Sequence, residues 1–171
     1  MIIEGEFRVH APLAVAWQYL SDLPGLVPLL PGCDAVEAAG EGQYRVVAHA
    51  KVGPIKTRVE GTLSVVDAVA GEALTLRVEG QDRLTGSHVR AVAEFRLMPV
   101  AAGETEVRYA ADVIVSGRLG TIGQGIMRAT MATMLADFVR RLTARVAGAN
   151  VEPSGRGVPS VKASRMEGRD E

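Results

Sequence analysis

The residues able to do acid–base, nucleophilic or metal chemistry are few and scattered. His10, His49 and His88 fall in the outward register of predicted strands, and none stands at a metal-ligand spacing from another histidine or from Cys33. Cys33 follows a Leu-Pro-Gly turn with no basic neighbour to activate the thiol, which favours a packed side chain over a nucleophile. The chain also lacks a Gly-x-Ser-x-Gly motif and a Walker loop. The sequence therefore predicts no catalytic residue and no metal site.

Binding of an apolar molecule is the second chemistry that residue spacing suggests. Met127, Met131 and Met134 share one face of a predicted helix, and unbranched thioether side chains adapt to ligands of different shape. Such a stripe is also typical of an ordinary helix core, so both interpretations stay open. The polar residues expected to face inward carry hydroxyl groups, which suit the orientation of a carbonyl group more than proton transfer. They are Thr57, Tyr44, Tyr109 and Thr130.

Composition limits the class of protein. The 171 residues suit one domain, and 47% hydrophobic residues can build a core that must be aliphatic, since aromatic residues make up only 4%. A net charge of -1 and the shortage of aromatic residues disfavour nucleic acid as a partner. The single cysteine, the absence of a secretory signal and the lack of an apolar run of about 18 residues predict a cytoplasmic protein. Membrane contact would then be peripheral, at the inner face of the cell membrane.

The elements that must position these residues follow from periodicity. Residues 3–10 alternate as a half-buried strand, a short helix follows at 13–20, and the Pro-rich segment 23–32 indicates a second, kinked helical turn. From Ala35 onward strand follows strand, with a hairpin turn at Gly53-Pro54. After Gly117 the period becomes helical up to about Val146.

This order predicts an α+β fold in which a curved antiparallel sheet wraps around a long C-terminal helix, with two short helices after the first strand. Residues 1–147 form the predicted domain, and residues 148–171 form a flexible polar tail. Many inward strand positions carry alanine or glycine. Small side chains either leave a cavity beneath the helix or let the helix sit closer to the sheet, and composition does not choose between them.

Three segments carry a family resemblance: residues 30–33 (LPGC), 50–56 (AKVGPIK) and 117–123 (GRLGTIG). Together they resemble the carbon monoxide dehydrogenase G-subunit family of the START-like, or SRPBCC, helix-grip superfamily, over about residues 1–146. The resemblance implies a cavity between the last helix and the sheet that binds a hydrophobic ligand without catalysis. It further implies an accessory subunit that links a molybdenum hydroxylase of the carbon monoxide dehydrogenase type to the membrane quinone pool. No cofactor is expected to bind tightly; menaquinone or ubiquinone would be cargo.

Two alternatives accompany this interpretation. The same fold serves enzymes of the polyketide-cyclase or dehydratase kind, and a ligand-free docking or assembly factor for the hydroxylase would need only its surface. One departure from the family also matters: members often carry a longer C-terminal extension that binds membranes, whereas residues 148–171 are short, polar and mixed in charge. We therefore expect no stable anchoring through this tail.

The predicted ligand-binding residues lie on the inward strand positions, on the apolar face of the last helix and on the short helical segments. They are Trp17, Leu26, Leu30, Tyr44, Val46, Ala48, Val59, Leu76, Ala93, Phe95, Tyr109, Ile122, Met127, Met131, Met134 and Phe138.

Overall fold

The computed structural model describes residues 1–151, with side chains up to residue 148, so the predicted tail lies outside the described residues from position 152 onward. The chain forms seven strands, three α-helices and two 3-10 turns over this range. In chain order these are β1 (Ile2–Val9), α1 (Leu13–Ser21), α2 (Leu23–Leu26), a first 3-10 turn (Val27–Leu29), β2 (Cys33–Gly40), β3 (Gln43–Val52), β4 (Ile55–Val69), β5 (Ala73–Asp82), β6 (Ser87–Ala101), β7 (Glu104–Ser116), a second 3-10 turn (Arg118–Thr121) and α3 (Gln124–Val151).

The strands form one antiparallel sheet in the order β1-β7-β6-β5-β4-β3-β2. Successive hairpins connect β2 to β7, and β1 closes the sheet by pairing with β7. Side chains alternate between an outer, charged face and the inner face that α3 covers. This arrangement confirms the predicted α+β fold with its long C-terminal helix and short helices after the first strand. Among the helices of the described range, none is long and apolar enough to cross a membrane.

Proline sets the path of the short helical segments. Pro12 precedes α1, where its fixed φ of -63° suits a helix start. Pro24 is tolerated in the first turn of α2, whereas Pro28 has no N–H with which to continue that helix. The C-cap of the first 3-10 turn is Leu30, which precedes Pro31 and is extended with a ψ of 131°. The segment nevertheless buries Leu23, Leu26 and Val27, which explains its apolar composition.

Two core clusters fix α3 to the sheet. The large cluster lies where α1 and α2 pack between the sheet and the second half of α3; its buried members are Val9, Ala11, Ala16, Leu20, Leu23, Leu26, Val27, Leu63, Leu74, Leu76, Leu97, Val107, Phe138, Leu142 and Val146. The small cluster lies at the other end, beneath the first turns of α3, and its buried members are Val52, Ile55, Leu119 and Met127. The helix is therefore held near both ends.

The start of α3 differs from the helical period in the sequence, which begins directly after Gly117. Gly117 has a φ of +79°, and a Cβ there would overlap the carbonyl oxygen of Gly86. Gly123 has a φ of +105°. Because such positive φ angles interrupt a right-handed helix, the chain makes a 3-10 turn first and α3 begins only at Gln124.

Candidate ligand-binding site

The middle of the inner face is not packed in either core cluster. Ala48, Val59, Ala91, Ala93 and Ala111 all point inward from β3 to β7, yet each remains half-buried. None of them belongs to the large or the small cluster. Since close-packed cores leave few voids, partial exposure here indicates space between the sheet and the central turns of α3.

Two facing glycines enlarge this region. Gly61 on β4 pairs with Gly80 on β5, both in the inward register. A Cβ on Gly61 would overlap the carbonyl oxygen of Glu79, and a Cβ on Gly80 would lie 2.6 Å from Val59. The two central strands thus approach more closely than side chains would allow, and no side chain projects inward from either position.

Three openings lie alongside α3. The first, about 530 Å³, lies between β1 and the helix, with Phe7, Tyr109 and Leu135 in its lining and Glu4 and Arg128 at its charged edge. The second, about 400 Å³, lies between the helix and the edge of the sheet near β2 and β3; it is lined by Pro31, Gly32, His49, Ala50, Lys51, Thr130, Thr133 and Met134. The third, about 220 Å³, lies at the start of α3 and includes Leu119, Gly120, Gly123 and Met127.

Tyr109 brings a hydroxyl group to the first opening. Its ring crosses the β1 backbone at Gly5, where a Cβ would overlap the phenol oxygen, so glycine is what makes room for it. The ring also lies 6.2 Å from that of Phe7, centroid to centroid. Burial raises the pKa of Tyr109, so the phenol stays protonated near neutral pH. Its hydroxyl makes no hydrogen bond within the described residues and can donate to a ligand.

The other expected hydroxyl groups divide into free and occupied ones. The half-buried Tyr44 likewise forms no hydrogen bond through its hydroxyl in the described part of the chain. Thr57 donates to an Asp82 carboxylate oxygen at 2.6 Å, and Thr130 donates to the carbonyl oxygen of Ile126 at 3.0 Å. Of the four inward hydroxyls considered from the sequence, the two phenols are therefore the ones left to orient a ligand carbonyl.

The sequence left open whether the three methionines form helix core or line a ligand site, and the structure shows both environments. Met127 is buried in the small cluster, and Met131 packs against that cluster. Met134 is half-buried and lines the second opening. The stripe is therefore core at the start of α3 and lines accessible space further along the helix.

The remaining predicted ligand-binding residues occupy four environments. Leu26, Leu76 and Phe138 are buried in the large cluster, and half-buried Trp17, Val46 and Phe95 pack against it. Ile122 packs against the small cluster, while Leu30 is 36% exposed. Ala48, Val59 and Ala93 belong to neither cluster and lie on the central inner face described above.

The histidines and the cysteine form no catalytic group in this arrangement. His10, His49 and His88 are all exposed. The Nδ1 atom of His49 lies 2.9 Å from a carboxylate oxygen of Asp34. Desolvation by burial raises the pKa of the Cys33 thiol, the opposite of what a nucleophile needs. Within the described residues, no three His, Cys, Asp or Glu side chains are grouped to hold a metal ion.

Asp82 is the polar residue whose importance sequence reasoning missed. Its carboxylate is buried at the end of β5. It accepts hydrogen bonds from Thr57, from the backbone amide of Arg58 at 3.1 Å and from that of Leu84 at 2.9 Å. The Thr57 hydroxyl, helped by these amides, lowers its pKa to about 2. The sequence does contain a signal for this position, because strict alternation of side chains from Val78 places Asp82 on the inner face.

A curved antiparallel sheet that holds a long C-terminal helix over a partly open inner face defines a START-like, helix-grip protein. Within this class the chain belongs to the carbon monoxide dehydrogenase G-subunit (CoxG) family, whose family model matches residues 5–147. A comparison with curated proteins found no match.

Solved structures agree on the fold. A conserved protein from Geobacillus kaustophilus superposes with a TM-score of 0.81 at 21% identity, covering 87% of this chain and 97% of that one. The Zhui aromatase/cyclase from Streptomyces sp. R1128 gives a TM-score of 0.68 at 15% identity over 91% and 99% of the two chains. A START superfamily protein from Mycobacterium smegmatis gives 0.63 at 14% identity over 85% and 97%. Identities this low establish the shared fold alone.

Proposed function

We propose that the protein binds a quinone or another isoprenoid lipid between α3 and the sheet, as an accessory subunit of a carbon monoxide dehydrogenase-type molybdenum hydroxylase. It would link the hydroxylase to the membrane quinone pool, with menaquinone or ubiquinone as cargo. The observation that carries the proposal is the unpacked inner face between the two core clusters. Membership of the CoxG family supports the partner.

The inner face suits an isoprenoid chain. Ala48, Val59, Ala91, Ala93 and Ala111 supply apolar walls without filling the space. A hydrocarbon tail placed there gains roughly 25 cal/mol for each Å² of apolar surface removed from water. Binding of this kind needs no charge pair, which agrees with the scarcity of free charged groups on the inner face.

A phenol suits the quinone head. A quinone offers carbonyl oxygens, which accept hydrogen bonds, and Tyr44 and Tyr109 carry hydroxyl donors with no other partner in the described part of the chain. The two lie on β3 and β7, four strands apart, so each is a separate candidate contact, and Tyr109 is the one that lines an opening. Both phenols are half-buried, so a bound carbonyl group would replace water as their acceptor.

Catalysis of the cyclase kind has less support. Such a reaction needs a free acid or base that faces the ligand, and burial raises the pKa of the free Tyr109 phenol, which makes it a weaker acid. The buried carboxylates among the described residues are otherwise engaged: Asp82 accepts several hydrogen bonds, and Glu106 lies on the outer face, 2.6 Å from the Arg108 guanidinium. The structural likeness to an aromatase/cyclase concerns the fold alone. Binding without turnover is therefore the function that we favour.

Tyr109→Phe tests the proposed head-group contact. We expect roughly three- to tenfold weaker binding of a short-chain menaquinone, since one hydrogen bond contributes about 0.5–1.5 kcal/mol. Quenching of the single tryptophan, Trp17, by the quinone would report binding. Tyr19→Phe is the matched control, because Tyr19 lies on α1 under the Arg145 guanidinium, 5.4 Å from the ring centroid.

The control should bind like the wild type. Equal affinity for Tyr109→Phe, Tyr44→Phe and wild type would remove both phenols from the site. A folded wild-type protein that binds neither menaquinone nor ubiquinone would overturn the quinone proposal itself.

A further inference from the structure

One end of the sheet gathers three chain connections into a single surface. These are the β3–β4 turn, the β5–β6 connection and the segment between β7 and α3. The backbone amide of Leu119 donates to Ser87 Oγ at 3.0 Å, which ties the second connection to the third. A Cβ on Gly53 would touch Ile126 at 3.3 Å, which places the first against the start of α3. We call this the hairpin-tip surface; its exposed residues include Lys51, Lys56, Arg83, Leu84, Arg118 and Ile126.

The hairpin-tip surface carries uncompensated positive charge. Lys51, Lys56, Arg83 and Arg118 are exposed, and within the described residues none of them forms an ion pair. Lys51 and Lys56 face each other across the β3–β4 hairpin. The nearby Asp82 does not neutralise them through a salt bridge, because it is buried and bound by hydroxyl and amide donors.

The opposite end of the sheet carries two exposed glutamates. Glu41 follows β2 and Glu72 lies in the β4–β5 turn; both are exposed, and neither pairs with a cation in the described part of the chain. A negatively charged surface would attract the four cations at the hairpin tips and repel these two glutamates at the far end.

An apolar side chain projects from the cationic surface. Leu84 is 92% exposed, and Ile126 is 45% exposed. The exposure of Leu84 is built into the turn, because its own amide and that of Thr85 are held by the Asp82 carboxylate. An exposed leucine among lysines and arginines is the combination that enters the boundary between lipid head groups and acyl chains.

We propose that the hairpin-tip surface docks the protein on an anionic lipid bilayer, with Leu84 inserted among the acyl chains and the four cations over the head groups. This rests on the proposed carrier function, because docking here would place the third opening, lined by Gly120, Gly123 and Met127, toward the bilayer. We favour a bilayer over an acidic protein because Leu84, 92% exposed, stands at the tip of a turn among cations, a combination that suits the boundary between lipid head groups and acyl chains.

Co-sedimentation of the full chain with quinone-free vesicles tests the proposal. We expect binding to vesicles of 70% phosphatidylcholine and 30% phosphatidylglycerol that weakens as salt rises, and little binding to phosphatidylcholine alone.

Lys56→Glu should lower the partition coefficient roughly tenfold or more, because each cation near an anionic surface contributes about 1 kcal/mol. Leu84→Ser should weaken it by roughly tenfold through lost apolar burial. Arg77→Glu is the charge-matched control, since Arg77 is exposed on the outer face and unpaired within the described residues.

Several results would overturn the docking proposal. The first is that the folded wild type does not bind the anionic vesicles. The second is that Lys56→Glu and Arg77→Glu weaken vesicle binding equally. The third is that neither Lys56→Glu nor Leu84→Ser changes vesicle binding. If the wild type bound no vesicles but captured the hydroxylase, and Lys56→Glu abolished that capture, the surface would be assigned to an acidic protein instead. Lipid extraction from the same samples separates the two proposals. A protein that retains quinone but does not bind vesicles would support the carrier function and contradict the docking proposal. A protein that binds vesicles but holds no quinone would support the docking proposal and contradict the carrier function.

Discussion

Ala93→Phe is expected to weaken menaquinone binding roughly a hundredfold while the free energy of unfolding stays close to that of the wild type. Ala93 is half-buried at the centre of the inner face and packs in neither core cluster. A phenyl ring there would displace on the order of 100 Å² of ligand contact, which corresponds to about 2.5 kcal/mol. Because Ala93 is only half-buried, we expect the added ring to cause little strain.

The neighbouring residue provides the matched control. Val92 lies on the outer face and is 44% exposed, so Val92→Phe adds a ring without reaching the ligand space. Binding should be unchanged in this variant. If Ala93→Phe instead lost about 1–3 kcal/mol of stability, as overpacked cores do, the inner face would be filled by side chains and the carrier proposal would lose its basis.

Asp82→Ala is expected to be the most destabilising single change outside the apolar core, by about 3 kcal/mol, because the buried Thr57 hydroxyl and several backbone amides would lose their acceptor. Urea unfolding followed through Trp17 fluorescence would measure the loss. Asp67→Ala is the control: Asp67 is exposed on β4 and makes no hydrogen bond or ion pair through its carboxylate within the described residues. Equal stabilities of the two variants would contradict a structural role for Asp82.

The same carboxylate predicts an acid-dependent difference. Its pKa falls from 3.8 to about 2 in the folded protein, so its contribution to stability is complete above pH 4 and is lost as the pH falls toward 2. The gap in unfolding free energy between wild type and Asp82→Ala should therefore narrow across this window. A gap that stays constant down to pH 2 would show that the charge of Asp82 does not matter.

Much of the fold was accessible from local patterns. The alternation through Tyr44 and Val52, followed by Gly53-Pro54, placed the β3–β4 hairpin correctly. Helical spacing from Met127 to Val146 identified the segment that covers the sheet. These signals are local in sequence, so each could be interpreted without knowing the rest of the chain.

The features that escaped prediction depend on distant contacts. The delayed start of α3 follows from the approach of Gly117 to Gly86, about thirty residues earlier in the chain, and spacing alone could not show it. The alternation along β4 predicted that the Thr57 hydroxyl faces inward, but it did not predict the hydrogen bond from this hydroxyl to Asp82. The space around Ala93 depends on the distance between α3 and the central strands. Small side chains are compatible with a close helix or a distant one, so the sequence does not predict that distance.

The measurement that tests the central claim most directly is organic extraction of the purified protein followed by mass spectrometry. Wild type, Ala93→Phe and Val92→Phe should be prepared from the same quinone-producing host. The carrier account predicts a quinone or related isoprenoid lipid enriched in wild type and Val92→Phe and lost from Ala93→Phe. A folded wild-type protein that carries no such lipid and takes up no added menaquinone would contradict the account.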